Sequence, residues 1–238
     1  MTPRLRNLES RYYRALKTVA QKRGVSIGRV KREKIPQILE EATAPSLHLS
    51  NAWFVSGISG SGKSTVVKML ERGGFVRLPN VVTRPKRPEE SAHDYIFTDD
   101  ATFLKWKRGG LLFHPHKTNE VWHAILKKHL KRMTGGKHGM YADKSVTSAI
   151  KIVQEFPRMR GSNFIYMLAP TFRTLHKRLR SREQREKTRD GALTDIQIRT
   201  RFEEEIAEME KSVKIPYVYI LNDAPERIEY CLKRYLKK

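Results

Sequence analysis

Eight consecutive residues, Gly57-Ile58-Ser59-Gly60-Ser61-Gly62-Lys63-Ser64, constrain this chain more than any others. They fit G-x-x-x-x-G-K-[ST], the spelling of a loop that wraps a nucleotide's phosphates. Ala52 to Ser56, just before, is a short apolar run with strand character. Thr65 to Glu71, just after, carries Val66, Val67 and Leu70 at helical spacing. Strand, glycine loop and helix are what the chemistry requires. Glycines let backbone N–H groups converge on an anion at a helix N-terminus, where those donors lack partners and the dipole favours negative charge. Lys63 supplies a point charge for the outer phosphates, and the Ser64 hydroxyl is the usual magnesium ligand. The run from Gly57 to Thr65 is therefore the expected ATP-binding segment. A Gly/Ser-rich turn of the same spelling is the bland alternative, and the flanking strand and helix argue against it.

With 238 residues, 39% of them hydrophobic, the chain can bury one core of ordinary size and carry a small appended domain. Cys231 is the single cysteine, so no intrachain disulfide forms and a reducing compartment fits. No apolar run is long enough to span a membrane, and Met1 to Arg6 lacks the apolar core of a signal peptide, so a cytoplasmic location is the expectation. The net charge of +23 predicts attraction to polyanions, nucleotides or nucleic acid.

Residues 1–50 read as a basic helical extension, with eleven Lys and Arg against four acids. Leu5, Leu8, Tyr12, Leu16 and Val19 fall at the spacing of an amphipathic helix. Val19 to Ser26, followed by Val30 and Arg32, is similar to the middle of a helix-turn-helix. Ala20 would pack between helices, Gly24 would turn, Ser26 would cap the second helix and Val30 would face the core. That reading makes nucleic acid a candidate partner. A plainer one outweighs it, because so short a pattern is common by chance: a basic helical hairpin that docks on the main domain or stays mobile. Ala42 to Ser46 reads as a linker.

Beyond the glycine loop, Gly73-Gly74 stops the helix and Phe75 to Leu78 forms a short strand. Then come Thr83-Arg84-Pro85-Lys86-Arg87-Pro88-Glu89-Glu90 and Asp94-Tyr95-Ile96-Phe97. Thr-Arg-x-x-Arg-x-x-Glu followed by Asp-Tyr-x-Phe, placed after a glycine-loop helix, resembles the acceptor segment of guanylate kinases. Planar guanidinium forks suit phosphate oxygens, and a tyrosine hydroxyl adds a neutral donor. The resemblance implies that Arg84, Arg87 and Tyr95 hold the acceptor's phosphate. It runs on through Arg178-Leu179-Arg180-Ser181-Arg182, through Arg199-Thr200-Arg201-Phe202 and through Tyr217 to Asp223, covering residues 52–238, about one whole guanylate kinase domain. It implies an α/β, three-layer P-loop kinase fold over residues 51–238, with a parallel sheet, a lid and an acceptor-binding insertion. By the same matching, Lys63, Arg182 and Arg201 would be catalytic, Asn222 would lie near the ATP base, and Asp143 would join Ser64 at the magnesium.

The departures from that pattern matter as much. Aligned without gaps, the family's two guanine-reading positions fall on Phe113 and Ala124, and an expected serine is Asn80. Phosphate grip is retained while guanine readout is not, and a site built to hydrogen-bond a base loses specificity heavily when those partners go. His114, His116, His123 and His129 cluster in the altered region and read as pocket or surface histidines rather than a metal site. Three functions stay open: a nucleoside monophosphate kinase, with GMP as the family default and shifted base choice; a related small-molecule kinase acting on ribose 1,5-bisphosphate; and a non-catalytic binding module. The partners expected are ATP with magnesium and a phosphorylated small acceptor. Oligomeric state is not readable from the sequence.

Overall fold

The structure, a computed structural model, describes residues 3–28, 30–43, 47, 50–86, 94–118, 120–136, 138–190 and 195–236. The central strands are β1 (Ala52–Gly57), β2 (Val76–Arg77), β7 (Met140–Asp143), β8 (Asn163–Leu168) and β9 (Val218–Leu221). They form one sheet in the order β2-β7-β1-β8-β9, every neighbouring pair parallel. Both faces of such a sheet are covered, so its strands are apolar throughout and alternate residues feed two separate cores. Trp53, Val55, Ile165, Met167, Val218 and Ile220 pack toward α3 (Lys63–Arg72) and α9 (Pro225–Leu236). Phe54, Phe164, Tyr166, Tyr217 and Tyr219 pack on the other side. There they meet α6 (Val146–Glu155), α7 (Phe172–Asp190) and α8 (Asp195–Lys211). The result is the three-layer α/β fold expected from the sequence. No helix among the described residues is long and apolar enough to cross a membrane.

Four further strands make a second, mixed sheet in the order β4-β3-β6-β5: β3 (Asn80–Val82), β4 (Tyr95–Phe97), β5 (Leu112–Thr118) and β6 (Val121–Leu126). One face packs on α4 (Asp100–Arg108) through Val81, Phe103, Leu112, Ala124 and Leu126. α4 begins with a side-chain cap, the Asp99 carboxylate accepting the Thr102 N–H at 2.7 Å. The opposite face carries Asn80, Val82, Tyr95, Phe97 and His123, because period 2 and the pairings Asn80 with Tyr95 and Val82 with His123 place them together.

The N-terminal segment does not form a helix-turn-helix. α1 (Pro3–Lys22) closes at Gly24, whose φ of 69° ends the helix with Val25 N–H bonded to the Ala20 carbonyl at 2.9 Å. The next α-helix, α2 (Ile35–Thr43), starts eleven residues after Gly24, so Ser26 caps nothing, and Val30 is 43% exposed. Twelve residues between two helices are too many for the tight turn that holds a recognition helix against its partner. The segment instead docks on the sheet domain, which is the plainer of the two readings. Leu8, Tyr12, Leu16 and Val19 are buried in one core with Phe172 and Phe202, and Tyr12 and Phe172 rings lie 5.8 Å apart. α2 covers the exposed edge of β9. Thr43 Oγ1 accepts the Tyr219 N–H at 2.9 Å, and the Glu40 carboxylate accepts the Leu221 N–H at 2.8 Å while pairing with Arg227. Unpaired edge donors are thereby satisfied by side chains rather than left as a template for association.

Candidate active site

The glycine loop sits where β1 hands over to α3. Gly62, with φ of 100°, is the residue before the helix, and an added Cβ there would lie 1.7 Å from Asn222 Nδ2. Only glycine combines that backbone conformation with so close an approach. Asn222 is buried behind the loop, and its amide donates to the Ser61 carbonyl at 3.0 Å. It braces the loop from the end of β9. Arg178 on α7 donates to the Asn222 carbonyl at 3.3 Å, so loop, strand end and helix are tied together. Lys63 Nζ donates to the Gly57 carbonyl at 2.6 Å. Ser61 Oγ is buried without a hydrogen-bond partner inside the loop.

A carboxylate lies on this anion-seeking loop. Glu205, on α8, accepts the Ser59 N–H at 2.6 Å and the Ser59 hydroxyl at 2.6 Å. Arg201, one turn earlier on α8, donates to Ser59 Oγ at 2.9 Å and pairs with Glu205 at 3.5 Å. Arg201 is thus brought to the loop. Arg182 lies on α7, and its side chain is outside the described residues, as is Arg87.

Opposite the loop, Tyr95 carries two guanidinium groups against its ring, Arg84 at 5.2 Å and Arg77 at 5.7 Å. Arg77 was not singled out from sequence. Lys63 and Gly57 from the loop, Tyr95 and Asn80 from the second sheet, and Asp143 and Lys144 from the end of β7 line one cavity of about 340 Å³. Asp143 stands beside Val55 in the parallel register, which is how the end of β7 reaches the mouth of the loop. Lys144 donates to Asn80 Oδ1. Burial pushes its ammonium down to about 8; Asp143 opposes that shift and Arg77 adds to it.

The two positions matched to guanine readers are not on this cleft. Ala124 is 4% exposed and belongs to the layer under α4; Phe113 is 2% exposed, edge-on to Phe156 in the main core. One residue on a strand changes the face. His123 is the cleft-facing neighbour of Ala124.

Three comparisons place this geometry among known proteins. No family model matches the chain. The guanylate kinase of Nitrosomonas europaea is 23% identical over 141 residues, 58% of this chain and 69% of that protein. The guanylate kinase of Fusobacterium nucleatum is 24% identical over 181 residues, 74% and 91% of the two chains. The crystal structure of guanylate kinase from Anaplasma phagocytophilum superimposes with a TM-score of 0.53 at 19% identity, covering 80% of this chain and 88% of that one.

This chain is similar to guanylate kinases in sequence and in fold.

Sequence reasoning missed Arg77, Lys144, Arg178 and Glu205. The first two come from strand ends that only the register brings to the cleft. The last two act across contacts spanning more than forty residues of sequence.

Proposed function

We propose that the chain is an ATP-dependent kinase of the nucleoside monophosphate kinase type, which moves the γ-phosphoryl group of ATP onto the phosphate of a small phosphorylated acceptor. One observation carries this reading: the loop residues Gly57 and Lys63 share a single cavity with Tyr95 and Asn80 of the acceptor sheet. Donor and acceptor phosphates held on those two walls would face each other. That positioning and charge compensation are most of what phosphoryl transfer asks of a protein.

The roles follow from the chemistry of each group. The backbone N–H groups from Gly57 to Thr65 and the Lys63 ammonium hold the donor phosphates. Arg84 and Tyr95 hold the acceptor phosphate, with Arg87 as the second fork expected from the resemblance. Arg201 reaches the loop from α8 and offsets charge on the transferring group, and Arg182 is its expected partner from α7. The bond between the β–γ bridging oxygen and the γ-phosphorus breaks as an acceptor phosphate oxygen bonds to that phosphorus. The acceptor is already an anion, so no general base is required. Magnesium, which the family implies, suits the residues present: Ser64, exposed at the start of α3, and Asp143 on the cavity offer the hard oxygens this ion takes. It completes its shell with water and phosphate oxygens, and when bound it would neutralise donor charge. GMP is the acceptor by family default; the buried positions of Phe113 and Ala124 do not support guanine readout.

The test is transfer from labelled ATP, by the full chain, to a panel of GMP, AMP, CMP, UMP and ribose 1,5-bisphosphate. A labelled product with at least one acceptor is expected. ATP binding without any transfer would make the chain a binding module instead.

A further inference from the structure

Arg77 stands where the two sheets meet. It ends β2, the edge strand of the main sheet, beside Tyr141 of β7, and three residues later Asn80 opens β3 of the second sheet. Its guanidinium lies 5.7 Å from the centre of the Tyr95 ring, which Arg84 also approaches, at 5.2 Å. Arg77 lines the cavity together with Lys63 of the glycine loop, Tyr95 and Lys144.

The guanidinium has donors to spare. Its side chain is only 23% exposed, and a guanidinium carries five N–H donors in a fixed fork. Among the described residues its ion-pair partner is Asp94, at 3.8 Å, which is beyond hydrogen-bond distance. The other carboxylates on the cavity are engaged elsewhere. Glu205 is held by Ser59 and Arg201, and Glu208 by Thr147 and Lys211. Asp143 favours the charged form of Lys144, while Arg77 is near enough to disfavour it. Two cations are thus held close together on one cavity, and a half-buried fork in that position is stabilised by an anion with several acceptor oxygens. The competing explanation is structural. Arg77 belongs to one sheet and Asp94 and Tyr95 adjoin the other, so these contacts would only hold the sheets together. Against it, the ion pair is long and partly exposed, and pairs of that kind contribute little.

We infer that Arg77 binds the acceptor's phosphate together with Arg84 and Tyr95. The inference rests on the kinase reading for where that phosphate lies. It adds to the acceptor site a guanidinium that the resemblance does not supply. A fork of this kind recognises phosphate rather than base, so it serves any monophosphate the cleft accepts.

Calorimetry on the full chain without ATP tests this, using GMP, AMP, CMP and UMP, each against its own nucleoside. In at least one pair the monophosphate is expected to bind about ten-fold or more tightly, the scale of hydrogen bonds to a charged group. In Arg77→Met that gain should fall below about three-fold while nucleoside affinity stays the same. Arg77→Lys, which keeps the charge and loses the fork, should give an intermediate gain. Arg77→Gln should lose the gain as well, and keeps a polar side chain at the site where methionine does not fold. Asp94→Asn removes the ion pair and leaves the guanidinium, so there the gain should persist. The absence of a gain in every wild-type pair overturns the inference. So does a gain that survives Arg77→Met or Arg77→Gln, or one lost as fully in Asp94→Asn as in Arg77→Met, the outcome of a structural role. Phosphate-dependent binding that needs Arg77, without transfer from labelled ATP, counts against the kinase alone. Transfer with the gain intact in Arg77→Met counts against the inference alone.

Discussion

The two walls of the cleft are built by different means. The donor wall is mostly backbone. One continuous stretch, Gly57 to Ser64, forms it, and its two structural partners, Asn222 and Arg178, brace it from behind. The opposite wall is made of side chains contributed by β2, β3, β4 and the end of β7, each aimed by strand register. A backbone site tolerates little change in its own spelling and almost any change elsewhere. A side-chain site can be rewritten one residue at a time.

The largest expected effect would break the donor wall alone. Lys63→Ala should lower phosphoryl transfer by about 10²- to 10³-fold or more, the scale on which a single charge-stabilising group matters. Acceptor affinity measured without ATP should stay the same. Unchanged transfer in a labelled-ATP assay would remove the loop from the donor role.

The support beneath the donor wall gives the next effect. Leu16 is fully buried where α1 packs under α7 and α8. Leu16→Ala should cost about 3 kcal/mol of stability, within the usual range for a core leucine truncated to alanine. Urea unfolding should show a lower midpoint at an unchanged slope. A loss under about 1 kcal/mol would mean that the N-terminal helix is an accessory to the core rather than part of it.

These two walls also differ in how far they could be read from sequence. The loop, β1 and α3 were all legible, because each depends on neighbours within one turn or one strand. On β6 the same approach does not tell which face a residue takes. Ala124 aligns with a reader, yet the pairing of Val81 with Ala124 sends it under α4 and leaves His123 facing the cleft. The bulge at Phe113–His116 shifts the partner strand as well, and no local spelling announces it. Glu205 was one acid in the run Glu203-Glu204-Glu205; its contact with Ser59 spans 146 positions and depends on how α8 packs. The helix-turn-helix pattern failed for a related reason: Ala20 and Gly24 serve to end α1 on the sheet domain, not to hold a second helix.

Glu205 sharpens the comparison further, because it sets a side chain on the backbone wall. Its carboxylate takes the Ser59 N–H that an outer donor phosphate would use, and it brings negative charge to the same place. Glu205→Ala should free that donor and tighten ATP binding by about ten-fold, since a hydrogen bond to a charged group contributes roughly 1.5–3 kcal/mol and part of that is offset by the loss of Arg201's partner. Titration with a fluorescent ATP analogue measures it directly. Weaker binding in the variant would instead make Glu205 a positioning residue for Arg201.

The smallest effect separates the walls by pH. Lys144 faces the acceptor side of the cavity, with Asp143, Arg77, His114 and His123 as its charged and titratable neighbours, and burial holds its ammonium at about 8. A bound acceptor phosphate favours the charged form, so the pKa rises in the complex. Affinity is then fully present below about 8 and is lost as pH rises above it. Between pH 7.5 and 8.5 the expected loss is about three-fold, from the fall in the protonated fraction of a group titrating near 8. His114 and His123 contribute nothing in that window, since burial and neighbouring positive charge push both below the usual histidine value. An acceptor phosphate, with its second pKa near about 6, is already a dianion there. ATP affinity, held by backbone N–H groups and Lys63, should stay level across the same range, and Lys144→Met should flatten the acceptor profile. A wild-type acceptor profile that is flat from pH 7.5 to 8.5 would take Lys144 off the acceptor wall and leave Arg84 and Tyr95 to hold that phosphate.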